Sequence, residues 1–328
     1  MLTLLQRREF IALIAGAALG RPPAARAQEP ALPEIGFLDS SVATAAKLAA
    51  FYAGLKTEGF AKDRNVAVEY IAVEGDYGRL GALAADLVNR KAAVIAAAGL
   101  PAALAAKGAT STIPIVFAVA ADPVQAGLIT GLNRPGGNLT GVTDMAADRE
   151  QKLIELLHQA VPAATVFALL VNPANPAAES QTRDALATAG NTGLQINVLP
   201  AKAESDFDAV FVGLADMRAG GLAIAEDELF ISRSAQLAAL ALRRGVPAIS
   251  AHREFATAGG LMSYGGNVAE TFHQVGAYCG LILKGGKAAD LPVYQSSRVE
   301  LVVNLKTANS LDLSLPAALR DRANEVLP

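Results

Sequence analysis

Tryptophan is absent from the 328 residues, aromatics make up 5%, and Cys279 is the one cysteine. A lone cysteine excludes an intramolecular disulfide and a cysteine zinc cluster. The three histidines, His158, His252 and His273, lie far apart in sequence, so a histidine metal centre has no support either. Charge is scarce as well, at 18% of residues with a net of −3. The first 27 residues hold four arginines against Glu9 alone, so the remainder has 28 − 4 = 24 basic and 31 − 1 = 30 acidic residues, a net of −6. Such a balance excludes the basic face that a nucleic-acid binder needs, and an anionic membrane surface is no better a partner. Beyond residue 27 no apolar run reaches the ~18 residues of a membrane-spanning helix. The 52% hydrophobic share, in turn, excludes a disordered chain.

Chemical fingerprints are missing too. No G-x-G-x-x-G follows the first expected strand, and neither Gly136-Gly137 nor Gly285-Gly286 leads into the Gly-Lys-Ser/Thr ending of a nucleotide loop. A G-x-S-x-G nucleophile elbow is also lacking. We therefore expect no catalytic residues, no metal and no cofactor. Cys279 lies within an apolar helical stretch and reads as a buried small hydrophobe.

What is present begins with an address. Arg7-Arg8 opens Met1–Ala27, Phe10 to Leu19 is uncharged and apolar, and Ala25-Arg26-Ala27 places small residues around a cleavage point. Arg7-Arg8-Glu9-Phe10-Ile11 is similar to a twin-arginine export signal. Residues 1–27 are expected to be a cleaved signal peptide. The mature chain would start at Gln28 in the periplasm, with no membrane insertion of its own.

Downstream, short apolar runs alternate with amphipathic stretches. Glu34–Leu38, Val66–Ile71, Ala93–Ala97 and Ile115–Val119 predict strands, separated by helices over Thr44–Glu58, Gly78–Arg90 and Pro101–Gly108. The scheme repeats with strands Val166–Leu170, Gln195–Leu199, Gly221–Ala225 and Ala248–Ser250 and helices Arg149–Ala160, Thr182–Ala189, Asp206–Met217 and Arg233–Arg244. Such alternation with nearly continuous apolar strands means parallel sheets covered on both faces. The fold class is α/β: two doubly wound parallel-sheet lobes with a hinge and an interlobe cleft. Leu139–Thr143 reads as a crossing between lobes, and helix Val268–Lys284 as a return to the first lobe before a second passage. The N-terminal lobe is then 28–142 plus about 265–292, and the C-terminal lobe 143–264 plus about 293–328. Hinge segments fall near Gly141–Thr143, Tyr264–Asn267 and Pro292–Arg298.

Ligands of open parallel sheets bind beyond the carboxyl ends of the strands. The residues found there are Asp39, Ser40 and Ser41, Tyr77, Gly99 and Leu100, Asp122, Asn172 and Asn175, Glu226 and Asp227, and Tyr264. Hydroxyls, carboxylates and amides predominate, a set suited to holding a polar small molecule rather than transforming it. Ser40 and Ser41 precede a helix and are placed either to receive a ligand carboxylate or simply to cap that helix. Asp122 before Pro123 offers a carboxylate to a ligand ammonium, or serves as a turn cap. Glu226-Asp227-Glu228 is either a ligand-facing or a solvated acidic loop.

Several runs together resemble a known family. They are Ile35-Gly36-Phe37-Leu38, Ala121-Asp122-Pro123-Val124, Leu132-Asn133-Arg134-Pro135-Gly136-Gly137-Asn138, Val171-Asn172-Pro173-Ala174-Asn175-Pro176, Arg253-Glu254-Phe255, Gly259-Gly260-Leu261-Met262-Ser263-Tyr264-Gly265 and Leu301-Val302-Val303-Asn304-Leu305-Lys306-Thr307-Ala308. In order along the chain they are similar to the substrate-binding proteins of ABC transporters, including tryptophan-binding lipoproteins. The resemblance implies a type I periplasmic binding fold with three crossings that closes on a small amino-acid-like or carboxylate solute. It also implies delivery to an ABC permease and its ATPase, with the binding protein acting as a monomer. Gly99-Leu100-Pro101 makes one wall more apolar than in relatives, and Tyr77 and Tyr264 are the aromatic platforms available. Two other readings stand beside transport: a periplasmic sensory protein serving a membrane receptor, and an exported enzyme on the same scaffold.

Overall fold

A computed structural model describes residues 32–144, 149–296 and 298–328. The expected signal, residues 1–27, lies outside the described residues. The first five strands are β1 (Glu34–Asp39), β2 (Ala67–Ala72), β3 (Val94–Ala98), β4 (Ile115–Val119) and β5 (Leu139–Thr143). They are followed by β6 (Val166–Val171), β7 (Gln195–Pro200), β8 (Leu222–Ile224), β9 (Ala248–Ser250) and β10 (Met262–Gly266). After helix Val268–Leu283 the chain adds β11 (Tyr294–Gln295), then β12 (Val299–Asn304) and β13 (Glu325–Leu327). Among the described residues these form two sheets, ordered β11-β5-β4-β3-β1-β2 and β13-β12-β10-β9-β8-β6-β7. Every pairing is parallel except β10 with β12. The fold is thus the expected pair of parallel-sheet lobes, and Pro33–Pro328 forms one compact unit.

Both faces of each sheet are covered, which is why the strands are apolar without alternation. Along β3 and β4, Ile95, Ala97, Ile115 and Phe117 enter one core while Val94, Ala96, Val116 and Ala118 enter the other. In β6, Phe167 and Leu169 face one core and Ala168 and Leu170 the opposite one. Helix Val268–Leu283 packs on helix Ala45–Thr57 of the first lobe. Glycines set their separation, since a Cβ on Gly54 would collide with the His273 carbonyl and one on Gly276 with that of Phe51. Cys279, on the same helix, is buried, and burial pushes its thiol pKa up.

The differences from expectation are local. Leu139–Thr143, read as a crossing, is a full strand paired from Ile115↔Leu139 to Val119↔Thr143. Tyr294–Gln295 pairs with Val142–Thr143, so the first sheet includes residues up to 143 and again 294–295, while β10 of the second sheet runs on to Gly266. Helix Ala178–Thr192 extends past the predicted 182–189 because its polar first turn carries no apolar period. The short helices Glu228–Ser232 and Arg253–Thr257 span too few residues to show one. No helix among the described residues is long and apolar enough to cross a membrane.

Candidate functional site

The carboxyl ends of both sheets face a cavity of about 660 Å³. Asp39 ends β1, Gly99 and Leu100 follow β3, and Ala120 to Asp122 follow β4. From the second lobe come Asn175 after β6, Glu226 after β8 and His252 after β9. Alanines and glycines supply the room, and Phe272 is the aromatic side chain on the lining.

In the first-lobe wall, Asp39, Ser40, Ser41 and Lys47 are paired within that lobe. Thr44 caps helix Ala45–Thr57 by accepting from the Lys47 backbone N–H at 3.2 Å. Lys47 therefore sits in the first turn, and its Nζ donates to Asp39 Oδ2 (2.6 Å), Ser41 Oγ (2.8 Å) and the Val42 carbonyl (3.0 Å). An ammonium has three donors, so Lys47 has none left. Asp39, 1% exposed, also accepts from the Ser41 N–H (2.8 Å) and Oγ (2.9 Å) and from the Tyr70 hydroxyl, whose pKa burial and Asp39 push well up. Ser40 Oγ donates to the Ala98 carbonyl and accepts from the Ala102 N–H, both at 3.0 Å. Lys47 Nζ also lies 5.2 Å from the centre of the Phe272 ring.

The second-lobe wall keeps open valences. Arg149 Nη2 donates to the Asp144 carbonyl (3.0 Å) and is ion-paired with the Asp144 carboxylate (2.9 Å), and Nη1 is ion-paired with Glu226 and donates to the Ala120 carbonyl (3.4 Å) of the first lobe. Its Nε has no partner among the described residues. Glu150 is 6% exposed, and burial raises its carboxyl pKa while Arg149 opposes the shift. Gln181, also 6% exposed, donates from Nε2 to the Glu226 carbonyl at 2.7 Å and leaves Oε1 without a donor. His252 Nε2 is buried and unpartnered as well. Burial, reinforced by Arg149 and Lys47, holds that imidazole down to about 3, so it is neutral at physiological pH.

Beside the cavity, a hydroxyl joins the lobes. Tyr77 of the first lobe places its OH 2.6 Å from Asp227 Oδ2 and 2.7 Å from Glu228 Oε2. Asp227 caps helix Glu228–Ser232 through the Leu229 N–H (2.9 Å) and also accepts from Asn172 (3.1 Å) and Asn175 (2.9 Å). One phenol proton cannot serve two carboxylates, so one of the acids must hold a proton of its own. Glu228 holds it: burial first, and then the Asp227 charge, push it up to about 8. Gly99, at φ +90°, makes room for Glu228, because a Cβ there would collide with Glu228 Oε1. Nearby, Ser232 Oγ donates to the Glu74 carbonyl at 3.3 Å.

Of the residues expected at the site, Asp39, Ser41, Gly99, Leu100, Asp122, Asn175 and Glu226 line the cavity. Ser40, Tyr77, Asn172 and Asp227 instead build the framework around it through the bonds given above. Tyr264 is half-buried against the second-lobe core. Asp122 accepts from the Val124 (2.8 Å) and Gln125 (3.2 Å) N–H groups, which is the geometry of a cap. Lys47, Arg149, Glu150 and Gln181 were not anticipated. A signal for the two cations did exist. Each occupies the first turn of a helix, where the dipole disfavours positive charge. Among the described residues no group of His, Cys, Asp and Glu is arranged to hold a metal ion.

Against known proteins, a family model described as ABC transporter substrate binding protein matches residues 39–327. The tyrosine-binding protein of Clostridioides difficile (strain R20291) is 24% identical over 266 residues, 80% of this chain and 75% of that protein. A conserved domain protein from Vibrio cholerae O1 biovar El Tor has a TM-score of 0.83 at 25% identity, covering 89% of this chain and 99% of that one. An ABC domain from Streptococcus pneumoniae, solved in complex with L-Trp, has a TM-score of 0.81 at 23% identity, covering 90% and 100% of the two chains.

Proposed function

The chain belongs to the ABC transporter substrate-binding protein family, and from that premise we propose that it binds a small amino-acid-like solute between its lobes and delivers it to an ABC permease outside the cytoplasm. One observation carries this reading: both lobes wall a cavity of about 660 Å³, and the second-lobe wall brings unpaired donors and acceptors to it. That volume falls in the ~300–1,000 Å³ range of small-molecule sites. Relatives named for tyrosine and crystallised with L-Trp support an amino acid, aromatic ones included. Phe272 offers one apolar surface for such a side chain, with Leu100 and Ile231 beside it on the lining.

Closure couples binding to delivery. A solute that touches both walls stabilises the closed form over the open one by its difference in affinity for the two. The permease then distinguishes loaded from unloaded protein by the relative position of the lobes. Export by the Arg7-Arg8 signal with cleavage after Ala27 completes this reading, and mass spectrometry of the secreted chain, expected to begin at Gln28, tests it.

The binding test is a thermal-shift and calorimetric screen of the twenty L-amino acids. At about 100 times its dissociation constant a ligand adds roughly 2.7 kcal/mol, a rise of several degrees at about 2–4 °C per kcal/mol. The same ligand should reduce the radius of gyration in X-ray scattering. Absence of any shift across the screen would overturn the amino-acid reading.

A further inference from the structure

We infer that Glu150 and Gln181, on the second-lobe wall, form the receiving site for a protonated primary amine of the solute. The inference rests on the proposal that a solute occupies this cavity. Both side chains are 6% exposed and both line it. Gln181 Oε1 is buried and has no donor, and the Glu150 carboxylate accepts from its own backbone N–H but from no side chain among the described residues. Buried acceptors in folded proteins are almost always paired, so Gln181 Oε1 invites a donor from the solute, with the Glu150 carboxylate on the same wall to balance its charge. Apart from the unpartnered Arg149 Nε, the cationic donors nearby are committed elsewhere. Arg149 spends its Nη atoms on Asp144, Glu226 and the Ala120 carbonyl, and Lys47 spends its three donors within the first lobe.

The chemistry of the amine follows from the surroundings. An alkylammonium carries three donors and no acceptor, which suits two acceptor side chains that line one cavity from neighbouring helices. Asp184 and Asp144 also line the cavity and add negative charge around Glu150, each beside an arginine, Arg183 and Arg149. Selection by this wall therefore favours amino acids and amines over the corresponding deaminated acids.

The test uses the full-length mature protein and three probe sets in calorimetry. The first is the twenty L-amino acids. The second keeps the amine and lacks the carboxylate: tyramine, tryptamine, phenethylamine and putrescine. The third keeps the carboxylate and lacks the amine: 3-(4-hydroxyphenyl)propionate, indole-3-propionate, 3-phenylpropionate and succinate. The expected result is that removing the amine weakens binding about a hundredfold or more, and that Glu150→Gln weakens it at least about tenfold. Gln181→Met should weaken it in the same direction while lowering the ligand-free melting temperature only by the few degrees of its lost bond to the Glu226 carbonyl, and Glu150→Gln should keep the parent's ligand-free melting temperature, which guards against misfolding. Deaminated acids binding as tightly as their parent amino acids would overturn the subsite while leaving the amino-acid reading intact. Unchanged affinity in both variants would do the same. Binding of amines but of no amino acid would keep the subsite and remove the amino-acid reading. Binding of neither would remove both.

Discussion

In the first-lobe wall Asp39, Lys47, Ser41 and Tyr70 pair with one another inside a single lobe, whereas in the second-lobe wall Arg149 reaches across to Ala120 while Gln181 Oε1, Arg149 Nε and His252 Nε2 stay unpartnered. A network closed within one lobe survives when the lobes separate, so its free energy belongs to folding. Bonds that cross between lobes form only on closing, and open acceptors are filled only by what is bound. Two walls of similar composition thus carry different duties: the first shapes the cavity and the second recognises its contents. The comparison warns against reading any polar residue on a cavity wall as a ligand contact before its donors and acceptors have been counted.

The largest effect should come from breaking the first network. Lys47→Met leaves Asp39 buried without its cation, and loss of one partner from a buried ion pair costs about 3–5 kcal/mol. At about 2–4 °C per kcal/mol for a chain of this size, the ligand-free melting temperature should fall on the order of 10 °C. Adding Asp39→Asn should recover part of the loss, because the uncompensated charge goes with it. If Lys47→Met instead spares stability and abolishes solute binding, the first wall recognises ligand and the division of duties fails.

That division was only partly legible beforehand. The alternation of apolar runs and amphipathic stretches led directly to two parallel sheets, and the strand-end rule led to seven residues on the cavity lining. β5 was read as a crossing because it follows a turn-rich stretch, and the pairing of a strand within the first sheet was not visible there. In the fold Gly141 lets β5 approach β4, since a Cβ there would collide with the Phe117 carbonyl and ring. Hydrogen-bond saturation was invisible because it depends on partners far apart in the chain, such as Tyr77 with Asp227. Lys47 and Arg149 were passed over as ordinary helix residues, although a buried cation in a first turn needs a local reason. Glu150 and Gln181 gave no such signal. Their burial arises where helices Arg149–Ala160 and Ala178–Thr192 pack together.

A smaller effect should sharpen the contrast at the bridge between lobes. Glu228, at about 8, keeps its proton in the folded protein, whereas an ordinary glutamate near 4.5 has lost it. The folded state then holds one more proton, so this contribution is complete below pH 4.5 and is lost as pH rises through 8. His252 acts oppositely. Held near 3 against an ordinary 6.5, it costs stability as pH falls below 6.5. The two slopes offset one another between pH 4.5 and 6.5, and from 6.5 to 8 the Glu228 slope stands alone of the two, at up to about 1.4 kcal/mol per pH unit. Melting temperature should therefore fall across that upper window. Glu228→Gln, neutral at every pH, should flatten the fall, match the parent below pH 4.5, exceed it already at pH 6 and exceed it most at pH 9. An unchanged slope in this variant would show that the Tyr77 bridge carries no shared proton.

The smallest effect should come from Asp122, the first-wall acid whose role separates scaffold from recognition most finely. Its Oδ1 accepts from the N–H groups of Val124 and Gln125, and its carbonyl accepts from Ala126 at 2.9 Å, so it anchors the turn that leaves β4. A capping carboxylate is worth about 0.5–2 kcal/mol, typically about 1. Asp122→Ala should therefore lower the ligand-free melting temperature by roughly 2–4 °C and leave solute affinity within a few-fold of the parent. Asp122→Asn should recover most of that, because an amide oxygen caps nearly as well as a carboxylate. Recognition of an ammonium by Asp122 makes the opposite forecast: affinity falls by two to three decades, stability holds, and Asn does not rescue. Calorimetry on the two variants separates these cases. In the second, the amine would lie against the first wall rather than against Glu150 and Gln181.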